Sequence, residues 1–238
     1  MKIVSWNMNY WQQKSTNESA WNYLVSTVNP DIALLQETVV PEKYQHQTVF
    51  IESKTCRTTD SIKWGTCVFV NETILLNGSF KDVTEKYIKE EDSIGKQVFI
   101  EVNLNGREQF TICSLHTNTS PDGIYSIKNH IQKITENLES NNSYKRFIFG
   151  GDFNADIEMD NGFFIEVFNR IKINYHECIP KHTQTYFGAN MSERNHYQDD
   201  HLFVSKDLSN SINETFSWNY GKLKQYSDHT ILETELAI

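Results

Sequence analysis

Residues Phe147–Asp156 read FIFGGDFNAD. The apolar run Phe147-Ile148-Phe149 has the length and aromatic content of a buried strand. Two glycines come next, and then Asp152, Asn154 and Asp156. Glycine reaches positive φ freely, and short carboxylates and amides bond their own backbone, so this is turn chemistry. The same residue types at a strand's end also suit a site that holds a cation or a phosphate. If extended geometry persists past the glycines, Asp152 and Asn154 face one side and Phe153 turns to the core. Gly150 and Gly151 then provide a tight exit and a close backbone approach, and Asp156 reads as a cap for the next segment of chain.

Working outward, other strands end in the same way. Ile3–Trp6 runs into Asn7-Met8-Asn9, and Ile32–Leu35 runs into Gln36-Glu37. Val98, Ile100, Val102 and Leu104 alternate, Asn105-Gly106 comes after them, and Phe110 and Ile112 resume the alternation. That pattern predicts a β-hairpin with an Asn-Gly turn. Its second strand ends at Ser114-Leu115-His116-Thr117-Asn118. Gln198-Asp199-Asp200-His201 and Ser227-Asp228-His229 flank the closing strands predicted at His201–Val204 and Ile231–Leu236. Further strands are predicted around 47–53 and 65–70, joined by a polar loop. Ala20, Trp21, Leu24, Val25 and Val28 keep helical spacing, with Asn17-Glu18-Ser19 as the cap and Asn29-Pro30 as the stop. Ile124, Ile127, Ile131, Ile134 and Leu138 mark an amphipathic helix. A third helix is predicted over Asn161–Ile171. No repeat or linker interrupts the 238 residues, so one α+β domain spanning 1–238 with packed sheets is expected.

Composition narrows the function classes. Hydrophobic residues make up 38% of the chain, enough for a full core. Lys and Arg total 22 against 31 Asp and Glu, a net charge of −9. That balance argues against tight binding of long duplex DNA, which draws on basic side chains. It leaves room for a site that gathers carboxylates around a cation, because the ion inverts the local charge. The four cysteines lie far apart with no CxxC pair, which disfavours a zinc knuckle, a redox motif or a disulfide scaffold. No stretch approaches the ~18 apolar residues of a membrane span. A cytoplasmic, monomeric protein without membrane insertion is expected.

A strand-end Asn alone is most often a turn residue, and a lone His is most often structural. Six polar strand ends in one chain are better explained by a site, since sites are commonly assembled from loops at one end of a sheet scaffold. Asn, Glu and Asp offer hard oxygen ligands suited to Mg²⁺ or Ca²⁺. His beside Asp suits an imidazole whose tautomer is fixed by a carboxylate. No nucleophile elbow or P-loop is present, so metal-assisted hydrolysis is the natural class.

SWNMN, LLQET, SLHTN, GGDFNAD, QDDHLFVS and YSDHTIL resemble, in order and rough spacing, the motifs of the endonuclease/exonuclease/phosphatase superfamily, which includes deoxyribonuclease I-like nucleases and abasic-site endonucleases. The resemblance runs from residue 3 to about 236. It implies a four-layered α/β/β/α sandwich, with two mixed β-sheets packed face to face, helices outside, and the site at one end. It implies Glu37 as the main metal ligand, with Asn7 close by and Asp228 completing the shell directly or through water. Asn9 stands where relatives often carry Asp. His229 matches the histidine facing the scissile phosphate, and Asp200 rather than its neighbour Asp199 matches the carboxylate that orients it. Asp152 matches an Asp near the attacking water, Asn154 an amide contacting a phosphate oxygen, and His116 a position held by His or Tyr. Whether Asp152 or His229 is the base stays open. The implied cofactor is Mg²⁺, with Mn²⁺ or Ca²⁺ as alternatives.

The implied activity is hydrolysis of phosphate esters, with nucleic acid as the leading phosphodiester substrate. A small-molecule or lipid-headgroup phosphatase or phosphodiesterase is the alternative, and a catalytically silent binding module a third reading. Tyr10, Trp11, Tyr197, Trp218 and Tyr220 flank the motifs and are candidate base-stacking residues. Lys181, Arg194, Lys222 and Lys224 lie on loops before the last two motifs, where they could meet phosphate.

Overall fold

The computed structural model describes residues 1–238 apart from 54–62, 89–95, 105, 107, 118, 120–121, 142–144, 180–182 and 189–197. Twelve strands are described: β1 (Lys2–Asn7), β2 (Ile32–Thr38), β3 (Thr48–Glu52), β4 (Gly65–Val70), β5 (Gly78–Asp82), β6 (Lys96–Leu104), β7 (Glu108–His116), β8 (Phe147–Asp152), β9 (Tyr175–Glu177), β10 (Asp200–Ser205), β11 (Ile212–Ser217) and β12 (Leu232–Leu236). They form two six-stranded sheets, ordered β11-β12-β1-β2-β4-β3 and β5-β6-β7-β8-β10-β9. Both are mixed: β1 runs parallel to β2 and β7 parallel to β8, while the other pairings are antiparallel.

The layering arises from alternation along strands that are buried on both faces. Ile3 of β1 and Val68 and Val70 of β4 point inward, against Val98, Ile100, Ile112, Ile148 and Leu202 of the second sheet. Val4, Trp6, Cys67 and Phe69 point outward, under Ala20, Trp21, Leu24 and Val28. Those four belong to a helix over Asn17–Tyr23 that continues as a π-turn over Leu24–Val28. Phe99, Cys113, Phe147 and Phe149 point outward on the other sheet, under Ile127, Ile131 and Ile134 of the helix Ile124–Ser140 and Phe168 and Ile171 of the helix Ile165–Asn174. The result is the expected four-layered sandwich. Full burial of each large apolar side chain in these layers stabilises it by about 1.5–3 kcal/mol.

Several local expectations need correction. Asn17 does not cap its helix. It is the first helical residue, the N-cap is Thr16, and no side-chain cap bond forms. The Asn17 amide is spent elsewhere: Nδ2 donates to the Val39 carbonyl and Oδ1 accepts from Thr38 Oγ1, tying the helix to the end of β2. Asn29 does stop the helix, at φ 51. The helix expected over 161–171 is two, Met159–Gly162 and Ile165–Asn174, because Gly162 takes φ 82 and breaks the spiral. The hairpin β6–β7 is present, with Leu104 paired to Glu108 and Gly106 at φ 67; Asn105 of the expected turn lies outside the described residues. β5, β9 and β11 had no readable signal: their exposed, polar positions dilute the alternation.

The glycines of FIFGGDFNAD do not leave the strand; β8 runs through both to Asp152. Their role is the close approach. A Cβ on Gly151, at φ 147, would lie 1.8 Å from the Leu115 carbonyl oxygen of the parallel neighbour β7. Gly151→Ala must therefore push β7 and β8 apart as well as strain its own backbone. We expect a loss of about 2–4 kcal/mol in stability, read as a lowered urea midpoint with unchanged slope.

Candidate active site

The sheet register brings the strand-end polar residues together. His116 ends β7, Asp152 ends β8 and Asp200 opens β10; Asp152 stands opposite both others in the pairing. From the facing sheet, Asn7 ends β1 and Glu37 lies near the end of β2. Between Leu35 and Thr38 the pairing of β2 with β4 slips, and Glu37 adopts φ 45. A bulge of this kind re-aims a side chain. A non-glycine residue in the left-handed region costs on the order of 1–3 kcal/mol and concentrates at functional sites. The first loop is pinned to this bulge, with Met8 and Tyr10 donating backbone bonds to the Gln36 and Glu37 carbonyls.

Asp152 is held by two hydrogen bonds, one on each oxygen. Asn7 Nδ2 donates to its Oδ2 at 2.8 Å, and the Asn154 backbone N–H donates to its Oδ1 at 2.8 Å. Extended geometry does not persist: Asn154 sits at φ 49 in an Asx turn. The turn keeps the amide beside the carboxylate, and Phe153 is fully buried as expected. Asp156 is not a helix cap: it accepts from the Glu158 and Gln198 backbone N–H groups in an Asx turn, ahead of a helix whose N-cap is Glu158 with no side-chain cap bond. Beneath the turn, His201 bonds the Ala155 carbonyl and the Glu177 carboxylate, fixing the loop from below.

His229 Nδ1 lies 2.8 Å from Asp200 Oδ2, so the carboxylate fixes the imidazole's orientation. Asp200, not Asp199, makes this contact. His229 Nε2 faces Asp228 Oδ1 at 3.9 Å and Asp152 Oδ2 at 4.0 Å. Burial alone would lower the imidazole pKa, but the Asp200, Asp152 and Asp228 carboxylates outweigh it and raise it well above the ordinary histidine value. His116 Nε2 lies 3.6 Å from Glu37 Oε1 and 3.7 Å from Asp152 Oδ2. Burial raises the Glu37 pKa, and Asp152 and Asp228 add to the rise against the two histidines.

All eight side chains expected at the site, namely Asn7, Glu37, His116, Asp152, Asn154, Asp200, Asp228 and His229, meet at one end of the sandwich. Glu37, Asp152, Asn154, Asp228 and His229 line a cavity of about 210 Å³, whose walls also include Asn9, Trp11, Gln12, Tyr186 and Asp199. Asn7, His116 and Asp200 stand behind that wall, in contact with Asp152 or His229. Among the described residues no Lys or Arg lines this cavity. Its donor chemistry, carboxylate and amide oxygens, fits a hard divalent cation. Among the described residues no three His, Cys, Asp or Glu side chains already converge on one point as a metal cluster. Glu37 and Asp228 present carboxylate oxygens on the cavity wall, while Asn7 Oδ1, behind it, accepts from the Asn9 backbone N–H at 2.9 Å.

The sandwich that carries this site has counterparts among known proteins. The model of the endonuclease/exonuclease/phosphatase family matches residues 4–229. The chain belongs to that family. No curated protein matches the sequence. Among solved structures, the endonuclease domain of TRAS1, a telomere-specific non-LTR retrotransposon, superposes with a TM-score of 0.72 at 16% identity, covering 100% of this chain and 98% of that one. An AP endonuclease from Archaeoglobus fulgidus gives 0.66 at 14%, covering 100% of both chains. A 3′ phosphatase, NExo, from Neisseria, bound to product DNA hairpin, gives 0.65 at 14%, again covering 100% of both. At these identities the likeness establishes the shared sandwich of the family.

Three further residues shape this site, and of these only Tyr186 had no readable signal. Asn9 donates from Nδ2 to Asp228 Oδ1 at 2.6 Å and so positions that carboxylate. The Tyr186 ring lies 4.9 Å from that of His229, and its strand-like bridge to His229 spans too much sequence to read locally. Asp199 lines the cavity beside the orienting Asp200. Of the candidate stacking residues, Tyr10 is buried, Trp218 packs against Tyr23, and Tyr220 stacks on Phe187. Trp11 is 55% exposed at the cavity rim. Lys222 and Lys224 are exposed, while Lys181, Arg194 and Tyr197 lie outside the described residues.

Proposed function

We infer that this chain is a divalent-cation-dependent hydrolase of phosphate esters that acts on nucleic acid. The observation that carries this reading is the His229–Asp200 pair, at 2.8 Å, opening onto the same cavity as Asp152 and Glu37. Glu37, Asn7 and Asp228 would hold the cation, which when bound neutralises charge on the phosphate and on the leaving oxygen. His229, kept cationic by its carboxylate neighbours, presents Nε2–H to a phosphate oxygen. With His229 protonated, Asp152 is the carboxylate placed to take a proton from the attacking water. Its Oδ2, anchored by Asn7, is set for that contact. Asn154 and His116 donate to the oxygens where charge develops.

Two observations favour nucleic acid. The neighbours include enzymes of DNA, among them D. rerio TDP2 complexed with single strand DNA product. Trp11 offers an exposed ring at the cavity rim, where a splayed base can stack. The net charge of −9 favours short or single-stranded substrates over long duplex. Among the described residues no helix is long and apolar enough to cross a membrane.

The test is a Mg²⁺ assay across plasmid, single-stranded DNA, abasic duplex, RNA, bis-p-nitrophenyl phosphate and sphingomyelin. We expect oligonucleotide cleavage that chelator abolishes. Turnover confined to sphingomyelin or to small esters would sink the nucleic-acid reading.

A further inference from the structure

Asp199 has no part in this division of labour, yet it sits in the wall of the same cavity. It is only 8% exposed. Its Oδ1 is sealed from solvent and has no hydrogen-bond partner among the described residues. Its main chain is fixed, because the Phe153 N–H donates to the Asp199 carbonyl at 2.8 Å. A buried charge without a partner is costly, and a buried polar atom left unpaired calls for an explanation. Asp199 is nonetheless among the residues that line the cavity where a substrate phosphate is proposed to sit.

We propose that Asp199 is a phosphate-contacting residue, working as a neutral carboxylic acid that donates a hydrogen bond to a non-bridging oxygen of the substrate. The groups facing it explain why the neutral form is available. Asp152 approaches from the end of β8, Asp200 and His201 from the start of β10 that follows Asp199, His229 from the loop before β12, and Tyr186 from the segment between β9 and β10. Burial, with Asp152 and Asp200 adding to it against the two histidines, lifts the Asp199 carboxyl to about 7. An incoming phosphate is one more negative neighbour and lifts it further. A cation at Glu37 acts the other way, so every variant must be compared with the same ion. The two protonation states differ in the sign of their effect. The acid attracts a phosphate oxygen, and the carboxylate repels it.

This role rests on the phosphate-ester reading and is tested separately from it. Asn at this position donates from its amide at every pH, and Ala cannot donate. Wild-type kcat/KM on a single-stranded oligonucleotide should fall as pH rises through 7 and 8. Asp199→Asn should stay within about threefold of wild type at pH 6 and lose that falling limb. Asp199→Ala should drop by roughly 10–100-fold at pH 6, the worth of one hydrogen bond to a charged group. A falling limb unchanged in Asp199→Asn, or an Asn variant as weak as Ala, overturns the role of Asp199 while leaving the hydrolase reading intact. A wild type that hydrolyses no phosphate ester overturns the hydrolase reading itself. Carbon-13 NMR of the Asp199 carboxyl in the metal-free protein then still decides its protonation: titration near pH 7 supports the proposal, and titration below pH 5 overturns it.

Discussion

Replacing His229 with Ala lowers kcat on a phosphodiester by about three orders of magnitude or more. Two losses combine. The Nε2 donor proposed to face the phosphate disappears, and with it a positive charge favoured by Asp200, Asp152 and Asp228. In a cavity this enclosed that charge is screened weakly, so its removal costs far more than a surface charge would. The Asp200 carboxyl is also left behind without its 2.8 Å partner, fully buried and with Oδ1 already unpaired. Removing one member of a buried pair destabilises by about 3–5 kcal/mol, so lost fold contributes to the lost activity. Asp200→Asn separates the two effects. It keeps the shape and removes the charge that orients the ring, so activity should fall by about two orders of magnitude or more while the melting temperature drops less than in His229→Ala. Single-turnover rates with circular dichroism on the same samples decide it. Full activity in either variant would break the assignment of this pair.

The parts of this site that were legible in the sequence are those fixed within a few residues. Asp152 and Asn154 share one turn, and His229 adjoins Asp228, so short motifs display them. The sandwich was legible because β1, β2, β4, β8 and β10 are buried on both faces and read as apolar runs. What the sequence concealed depends on backbone conformation or on distant partners. The φ of 45 at Glu37 comes from a slip in pairing with β4, and no residue type announces it. Asn9 gains its role from Asp228, 219 positions away. Asn17 carries a helix-capping composition, yet its amide is drawn to β2, where a tertiary bond overrides the local one. The glycines of FIFGGDFNAD suggested an exit and a close backbone approach; only the approach holds, Gly151 against the Leu115 carbonyl and Gly150 against that of His201.

Glu37→Gln should move activity and stability in opposite directions. Activity with Mg²⁺ should fall by about 10²–10³, since a bound cation would supply several kcal/mol of charge stabilisation and Glu37 is its proposed anchoring oxygen. Stability of the metal-free protein should rise. Glu37 is a mostly buried carboxyl whose pKa is lifted by burial and by Asp152 and Asp228. The folded protein therefore holds the Glu37 proton more tightly than the unfolded chain does. Such a group contributes its stability below its unfolded pKa and loses it as pH rises through the folded value. Glutamine removes that penalty, so the variant should melt higher than wild type at pH 8 and no higher at pH 4. Mg²⁺ should raise the melting temperature of wild type and fail to raise that of Glu37→Gln, because only a state that binds the ion gains from it. If Mg²⁺ stabilises both proteins equally, the cation binds elsewhere. If the variant melts lower than wild type at pH 8, Glu37 is a structural carboxylate. A gain in metal-free stability coupled to loss of turnover and of the Mg²⁺ response is the signature of a residue kept, at φ 45 and against its neighbours' charge, for the ion it holds.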